Sequence, residues 1–287
     1  MTEAPDKKAG ICRLTQTEGE FVRAHILPKA LTRPERSGAP LIQHGNGMRP
    51  LKRFSSWYDP QLVTSAGENI LRDYDTFGLE QLCRHNMVWS SWGPMTTLST
   101  SDFKRFPGTP IGLRSITPID TRRFRLFLLS LLWRMAETSL PEFKECKLPA
   151  ADRERLRNML LAAEPEPIEF YPASLTQIST IGIPHNLVGL SQTVLYPGGS
   201  TSQIIRVYFD GLIVHFHKPS LRSRHAGALG PLVVGNENLI TVATVDYENS
   251  SEHLNLVANV LGSVRDWPDQ MEKLVDIGRL LKRATGE

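Results

Sequence analysis

Three observations predict an α+β fold. Phe124, Phe127, Leu128, Leu131, Leu132 and Met135 recur at steps of three and four, which is the spacing of a helix. Residues 203–209 and 212–217 are apolar, β-type runs on either side of Asp210-Gly211, a pair that favours tight hairpin turns. The first fifty residues contain only short mixed runs broken by Gly and Pro. The expected layout is a small α+β module over residues 1–93, a helical middle over 94–165 and a mixed β/α part over 166–287.

Each element has a local reason. Residues 12–14 and 21–27 suggest a small hairpin turning at Glu18-Gly19-Glu20, and the Arg-, Gly- and Pro-rich stretch 32–50 reads as a loop. Ser65-Ala66-Gly67-Glu68 has capping-box spacing, in which the hydroxyl and carboxylate satisfy free backbone N–H groups. The stripe Ile70, Leu71, Tyr74, Phe77 and Leu82 continues that helix to His85-Asn86, with Cys83 expected as a small core residue. Trp89, Trp92 and Gly93 then form a turn, and 94–118 reads as irregular. Asp120 or Thr121 caps the helix over 121–138. A second helix follows over 152–161, with Leu156, Met159 and Leu160 inward. Beyond the hairpin at 203–217, strands are expected at 232–234 and 239–245 and a helix at 251–260. Asp266-Trp267-Pro268 opens a last helix with Leu274, Ile277, Leu280 and Leu281 on one side.

Composition narrows the class. Lys and Arg number 33 and Asp and Glu 30, a net charge of +3, and the 287 residues are 40% apolar. That mixture excludes a collagen, a coiled coil and a wholly disordered chain. The longest apolar run, residues 127–133, is bracketed by Arg125 and Arg134 and is far too short for a span of about 20 residues. No membrane partner is expected. Three scattered cysteines argue against a disulfide framework and for a cytoplasmic location. Charge is uneven: residues 1–53 hold ten basic and five acidic side chains, +5, so the remainder nets −2. A local basic excess suits a phosphate-binding surface or a solvated face. Pro197-Gly198-Gly199-Ser200 lacks the Lys and helix of a nucleotide loop, and no nucleophile elbow is present. His215-Phe216-His217 puts two histidines on one strand face, with no third ligand nearby in sequence.

The segment 12–59 carries the sharpest motif. Cys12-Arg13-Leu14-Thr15 is followed by Ala24-His25-Ile26-Leu27-Pro28-Lys29 and then by Ser55-Ser56-Trp57-Tyr58-Asp59. This order resembles the HNH endonuclease family, particularly its zinc-stapled branch, over roughly residues 10–80. The resemblance implies a ββα module around one metal. His25 would be the general base that activates water, with Asp59, Asn46 and His44 the remaining catalytic and metal-site candidates. It implies Mg²⁺ or another divalent cation and a nucleic-acid substrate, DNA first. Arg23, Lys29, Arg49, Lys52 and Arg53 would hold the phosphate backbone. Phosphodiester cleavage needs such a base and such a cation.

The departures are as informative. Of four zinc-ligand positions only Cys12 is retained, with Thr15, Ser55 and Tyr58 at the others, so no structural zinc is expected. Ala24 stands where the family often has an acid, and Glu68, Asp73 and Asp75 are alternative carboxylates. Two further readings stay open: a non-catalytic, nuclease-derived subunit of a larger assembly, which could include a protein partner or a second copy, and a DNA binder that does not cut. Proteins of this kind are often encoded beside mobile elements or phage defence.

Overall fold

The computed structural model describes residues 8–32, 41–45, 48–53, 56–183, 185–195, 199, 201–219 and 229–274. The fold is α+β, centred on a mixed seven-stranded sheet. The sheet contains β7 (Lys104–Arg105), β8 (Ile111–Ile116), β9 (Ala173–Ile178), β10 (Leu187–Leu195), β11 (Thr201–Phe209), β12 (Leu212–His217) and β13 (Ile240–Val245). Their order is β10-β11-β12-β9-β13-β8-β7, and every pair is antiparallel except β9 with β13.

Side chains alternate across a strand, so each face has its own chemistry. Ile205, Val207 and Phe209 on β11, Leu212, Val214 and Phe216 on β12, and Ile240 and Val242 on β13 join the principal core. Ile204, Arg206 and Tyr208, with Ile213, His215 and His217, point to the other side. The principal core is a cluster running from Cys12 to Val242, and it draws on all three segments of the chain. At its centre lies a helix, Thr121–Glu137, capped by the Asp120 carboxylate accepting from the Arg123 amide.

The central helix is buried on nearly every side rather than along one stripe. Two of its buried residues are arginines. The Arg125 guanidinium donates to the carbonyls of Pro165, Pro167, Ile168, Phe170 and Tyr171 and so gathers the connection that leads into β9. Arg122 pairs with Glu164 and Glu166, and Arg123 lies over the Phe77 ring at 4.4 Å.

Several expectations are corrected. Glu18-Gly19-Glu20 is not a turn: it is strand β2 (Glu18–Glu20), paired with β1 (Ala9–Ile11). The expected loop over 32–50 contains β4 (Leu41–Gly45), which pairs with β5 (Met48–Arg53). Thr64, not Ser65, caps the helix α1 (Ser65–Arg84), and it does so without a side-chain hydrogen bond. Cys83 is exposed. Residues 94–118 include β8, where Gly112 permits close packing: a Cβ there would meet Thr244, Phe103 and the Lys104 carbonyl within 2.9 Å. Residues 230–232 form a 3-10 turn, not a strand.

The hairpin β11–β12, strand β13 and the helix α3 (Ala150–Ala162) fall where expected, the central helix being α2. Strands β9 and β10 are additions to the expected layout. The helix at 251 runs to Asp266 as α4 (Ser251–Asp266) and is followed by α5 (Pro268–Leu274). Ile277, Leu280 and Leu281 lie outside the described residues. No helix among the described residues is long and apolar enough to cross a membrane.

Candidate nucleic-acid interface

A two-stranded ladder positions His25. Strand β3 (Ala24–His25) pairs antiparallel with β6 (Tyr58–Asp59), setting Ala24 opposite Asp59 and His25 opposite Tyr58. Paired residues share a face and neighbours alternate. His25 and Tyr58 therefore point one way, and Ala24 and Asp59 the other.

Asp59 is 1% exposed. One carboxylate oxygen accepts from the Gln61 amide at 2.8 Å, the turn that Asp commonly makes before a proline. The other accepts from the Thr138 hydroxyl at 2.8 Å and from the Ser139 amide and hydroxyl at 3.0 and 3.2 Å. Burial raises the Asp59 pKa, but these donors outweigh it and hold the group below the usual carboxylate range. Asp59 ties β6 to the end of α2. The motif sets it beside His25 at one metal, whereas the ladder places them on opposite faces.

His25 is half-buried among cations. Burial lowers its pKa, Lys29, Arg134 and Arg23 lower it further, and Asp75 opposes them more weakly. The His25 carbonyl accepts from Arg134 at 3.1 Å. Arg134 is buried and grips Asp75 with two donors, at 2.9 and 2.5 Å. Glu68 lies a heptad before Asp75 on α1. Burial raises its pKa, with Arg134 lowering and Asp75 raising it. Arg134 thus links β3, α1 and α2 through the His25 carbonyl and the Asp75 carboxylate. Motif reasoning does not find it, although an arginine inside an otherwise apolar helix is a signal that the sequence carries.

The basic candidates divide into two groups. The Arg23 guanidinium stacks on the Tyr58 ring at 3.8 Å, and Lys29 is exposed on the 3-10 turn Lys29–Thr32. Arg49 and Lys52 are exposed on β5, where Arg49 donates to Gln270 at 2.7 Å. Asn46 lies outside the described residues, as do the side chains of His44, which is on β4, and of Arg53, which is on β5.

The surroundings of Cys12 also differ from the motif. Its buried sulfur accepts from the Thr15 amide at 3.4 Å, and Thr64 hydrogen-bonds to it as well. Burial raises its pKa, and the Thr15 and Thr64 hydrogen bonds bring the net shift downward. A Cβ on Gly67 would come within 2.6 Å of the sulfur. The second segment therefore approaches Cys12 through Thr64 and Gly67. Tyr58 instead lies under Arg23, and Ser55 lies outside the described residues.

Among the described residues no group of three or more His, Cys, Asp or Glu side chains could hold a metal ion. With His25 and Asp59 on opposite faces, these residues do not fit a divalent cation shared by the two. What they can do is present positive charge and a planar Arg–Tyr stack to an anion. Compared with known proteins, the chain matches no family model, no curated protein and no solved structure.

Proposed function

We propose that the chain is a non-catalytic, nuclease-derived module that binds the phosphate backbone of nucleic acid, DNA first. The observation that carries this reading is the collar of Arg23, Lys29 and Arg134 around His25, combined with an Asp59 carboxylate turned away and used for packing. Arg134 is committed to Asp75, so Arg23 and Lys29 are the residues that reach phosphate. The Tyr58 ring beneath Arg23 holds the guanidinium plane for a bidentate contact. Arg49 and Lys52 form a second exposed basic group on β5. The basic excess of the first 53 residues supports the same reading.

The test is fluorescence anisotropy with a labelled DNA duplex, its single strand and a matching RNA over a salt series. Binding through phosphates gives a linear fall of log affinity with log salt, and each basic side chain removed from a phosphate lowers the slope by about 0.9 on duplex DNA. Arg23→Gln with Lys29→Gln should lower it by about 2. Binding that ignores salt, or none to any probe, would remove the proposal. Plasmid cutting with Mg²⁺ or Mn²⁺ that His25→Ala abolishes would replace it with the nuclease reading, for which Glu68 and Asp75 would be the carboxylates within electrostatic reach of Arg134.

A further inference from the structure

Helix α4 (Ser251–Asp266) has two apolar sides. One faces the chain: Leu256 and Val260 are buried, with Glu252 and Ser263 beside them, and the two apolar residues pack with Met271 of α5. The opposite side is open. It carries Leu254, 66% exposed, then Ala258, then Leu261, 51% exposed, and last Arg265. At 3.6 residues per turn these four lie within about 60° of one another. Their steps are four, three and four, the seam spacing by which one helix packs along another. Val257 and Val264, both partly exposed, flank the seam, and the exposed Trp267 stands just past its end. Single exposed leucines are ordinary on a protein surface. Two of them one heptad apart, on the side turned away from the chain's own core, match a second helix.

The seam is complementary to itself when the second helix is another α4 running the other way. About a two-fold axis at Ala258, Leu254 of each copy lies level with Leu261 of the other, so two equal Leu–Leu contacts form. Ala258 meets Ala258 at the crossing, where a one-carbon side chain lets the backbones approach closely. Gly262 leaves further room, since a Cβ there would meet nothing within 4 Å.

The charges agree with the same arrangement. Arg265, the charged residue of the seam, comes level with Ser250 of the second copy, within a turn of its Glu248. Glu248 is exposed, and among the described residues no cation pairs with it. Within the chain Arg265 pairs with the adjacent Asp266, in a bridge exposed on both sides and therefore weak. A parallel pair would instead set Arg265 against Arg265.

We infer that the chain is a homodimer built on this seam, α4 against α4 of a second copy, antiparallel about Ala258. The helix has 16 residues, a length of about 24 Å. A contact of that length belongs to the small interfaces, under about 1,200 Å² in total, so the dimer is reversible and dissociates on dilution. Pairing also joins two basic hairpins, because Gln270, beside Met271 on α5, accepts from Arg49 and donates to the Pro50 carbonyl. Two basic groups in one particle bind one duplex with avidity. That consequence rests on the proposed function; the dimer does not.

The experiment is sedimentation velocity of the whole chain without nucleic acid, over a series of about 1–300 µM. Expected is a mass that climbs from one chain toward two and no further. Leu254→Glu and Leu261→Glu, both at exposed positions, should each raise the dissociation constant about tenfold or more. Arg265→Glu should raise it about threefold, and adding Glu248→Arg should restore it, since the swap remakes the same pairs in reverse. A chain that stays single across the series, a dimer that either leucine variant leaves unchanged, or assembly beyond two overturns the inference. A loss in Arg265→Glu that Glu248→Arg fails to recover overturns the antiparallel pairing. Cross-linking checks the axis without relying on affinity. Because Cys83 is exposed, Ala258→Cys is made together with Cys83→Ser. Mild oxidation should join two such chains through residue 258, where the thiols meet, and should leave Thr109→Cys in the same background unlinked. Equal linking at both positions overturns the axis at Ala258. DNA affinity measured alongside separates the two claims. A dimer with no affinity for DNA keeps this inference and ends the binding reading, and salt-sensitive DNA binding by a chain that stays single does the reverse.

Discussion

Two buried carboxylates, Asp59 and Glu252, each lie near a histidine and are satisfied by different means. Asp59 is held by four neutral donors from Gln61, Thr138 and Ser139, and among the described residues no cation pairs with it. Glu252 is held by Arg206 with His185 in reach. The histidines differ accordingly. His25 is surrounded by cations that disfavour its charged form, whereas His185 faces a carboxylate. The contrast shows that a histidine and an acid close in sequence or space do not make one kind of site. Which face each side chain takes, and which donors reach the acid first, decides between a packing tie and an ionic cluster.

The largest effect should separate the two carboxylates by their partners. Arg206→Met leaves Glu252 buried without its cation and is expected to cost about 3–5 kcal/mol in urea unfolding. Adding Glu252→Leu should recover most of that loss, because a buried pair replaced by apolar groups is often neutral. A double variant as unstable as the single one would show that the pair has a role beyond compensating charge. At the other site Asp59→Ala should cost about 1–3 kcal/mol, the range for donors left buried without an acceptor. A loss as large as that of Arg206→Met would erase the distinction between the two sites.

Acid sharpens the comparison by sign. The folded His25 holds its proton more weakly than the unfolded chain, so the unfolded state takes up the proton first. Stability is full above about pH 6.5 and falls as pH drops through that value. Asp59, also lowered, contributes fully above about pH 3.9 and loses that contribution only as pH falls below it. His25→Asn should therefore flatten the stability profile near pH 6 and leave the limb below pH 4 unchanged. The reverse pattern in a pH series of urea melts would mean that His25 is not kept neutral by its neighbours.

The smallest stability effect belongs to Arg23→Gln and Lys29→Gln. Each should fall within about 0.5 kcal/mol of the parent, since both side chains are exposed and neither has a buried partner among the described residues. Their effect should appear only in binding.

The α+β class, the central helix and the β11–β12 hairpin are legible in the sequence, because each leaves a periodic or local signal. Strand β9 buries the polar Ser174 and Gln177 beside Ala173, Leu175 and Ile178, so neither an alternation nor an apolar run marks it as a strand. Strand β8 is hidden by Gly112, which is there for close packing rather than for a turn. Asp59 is legible as a residue and illegible as a contact: Thr138 and Ser139 lie 79 and 80 positions away. Arg206, His185 and Glu252 come from three separate elements, and no local spacing announces a cluster assembled that way.

Phosphate binding by the basic face is tested most directly by the salt-dependent affinity of the whole chain for duplex DNA. The Arg23→Gln, Lys29→Gln double variant is measured alongside, and the DNA is checked for cleavage. Expected are intact DNA, affinity that falls steeply with salt, and a slope about 2 smaller in the variant. Metal-dependent cutting, or an unchanged slope in the variant, would contradict a non-catalytic phosphate-binding role for these residues.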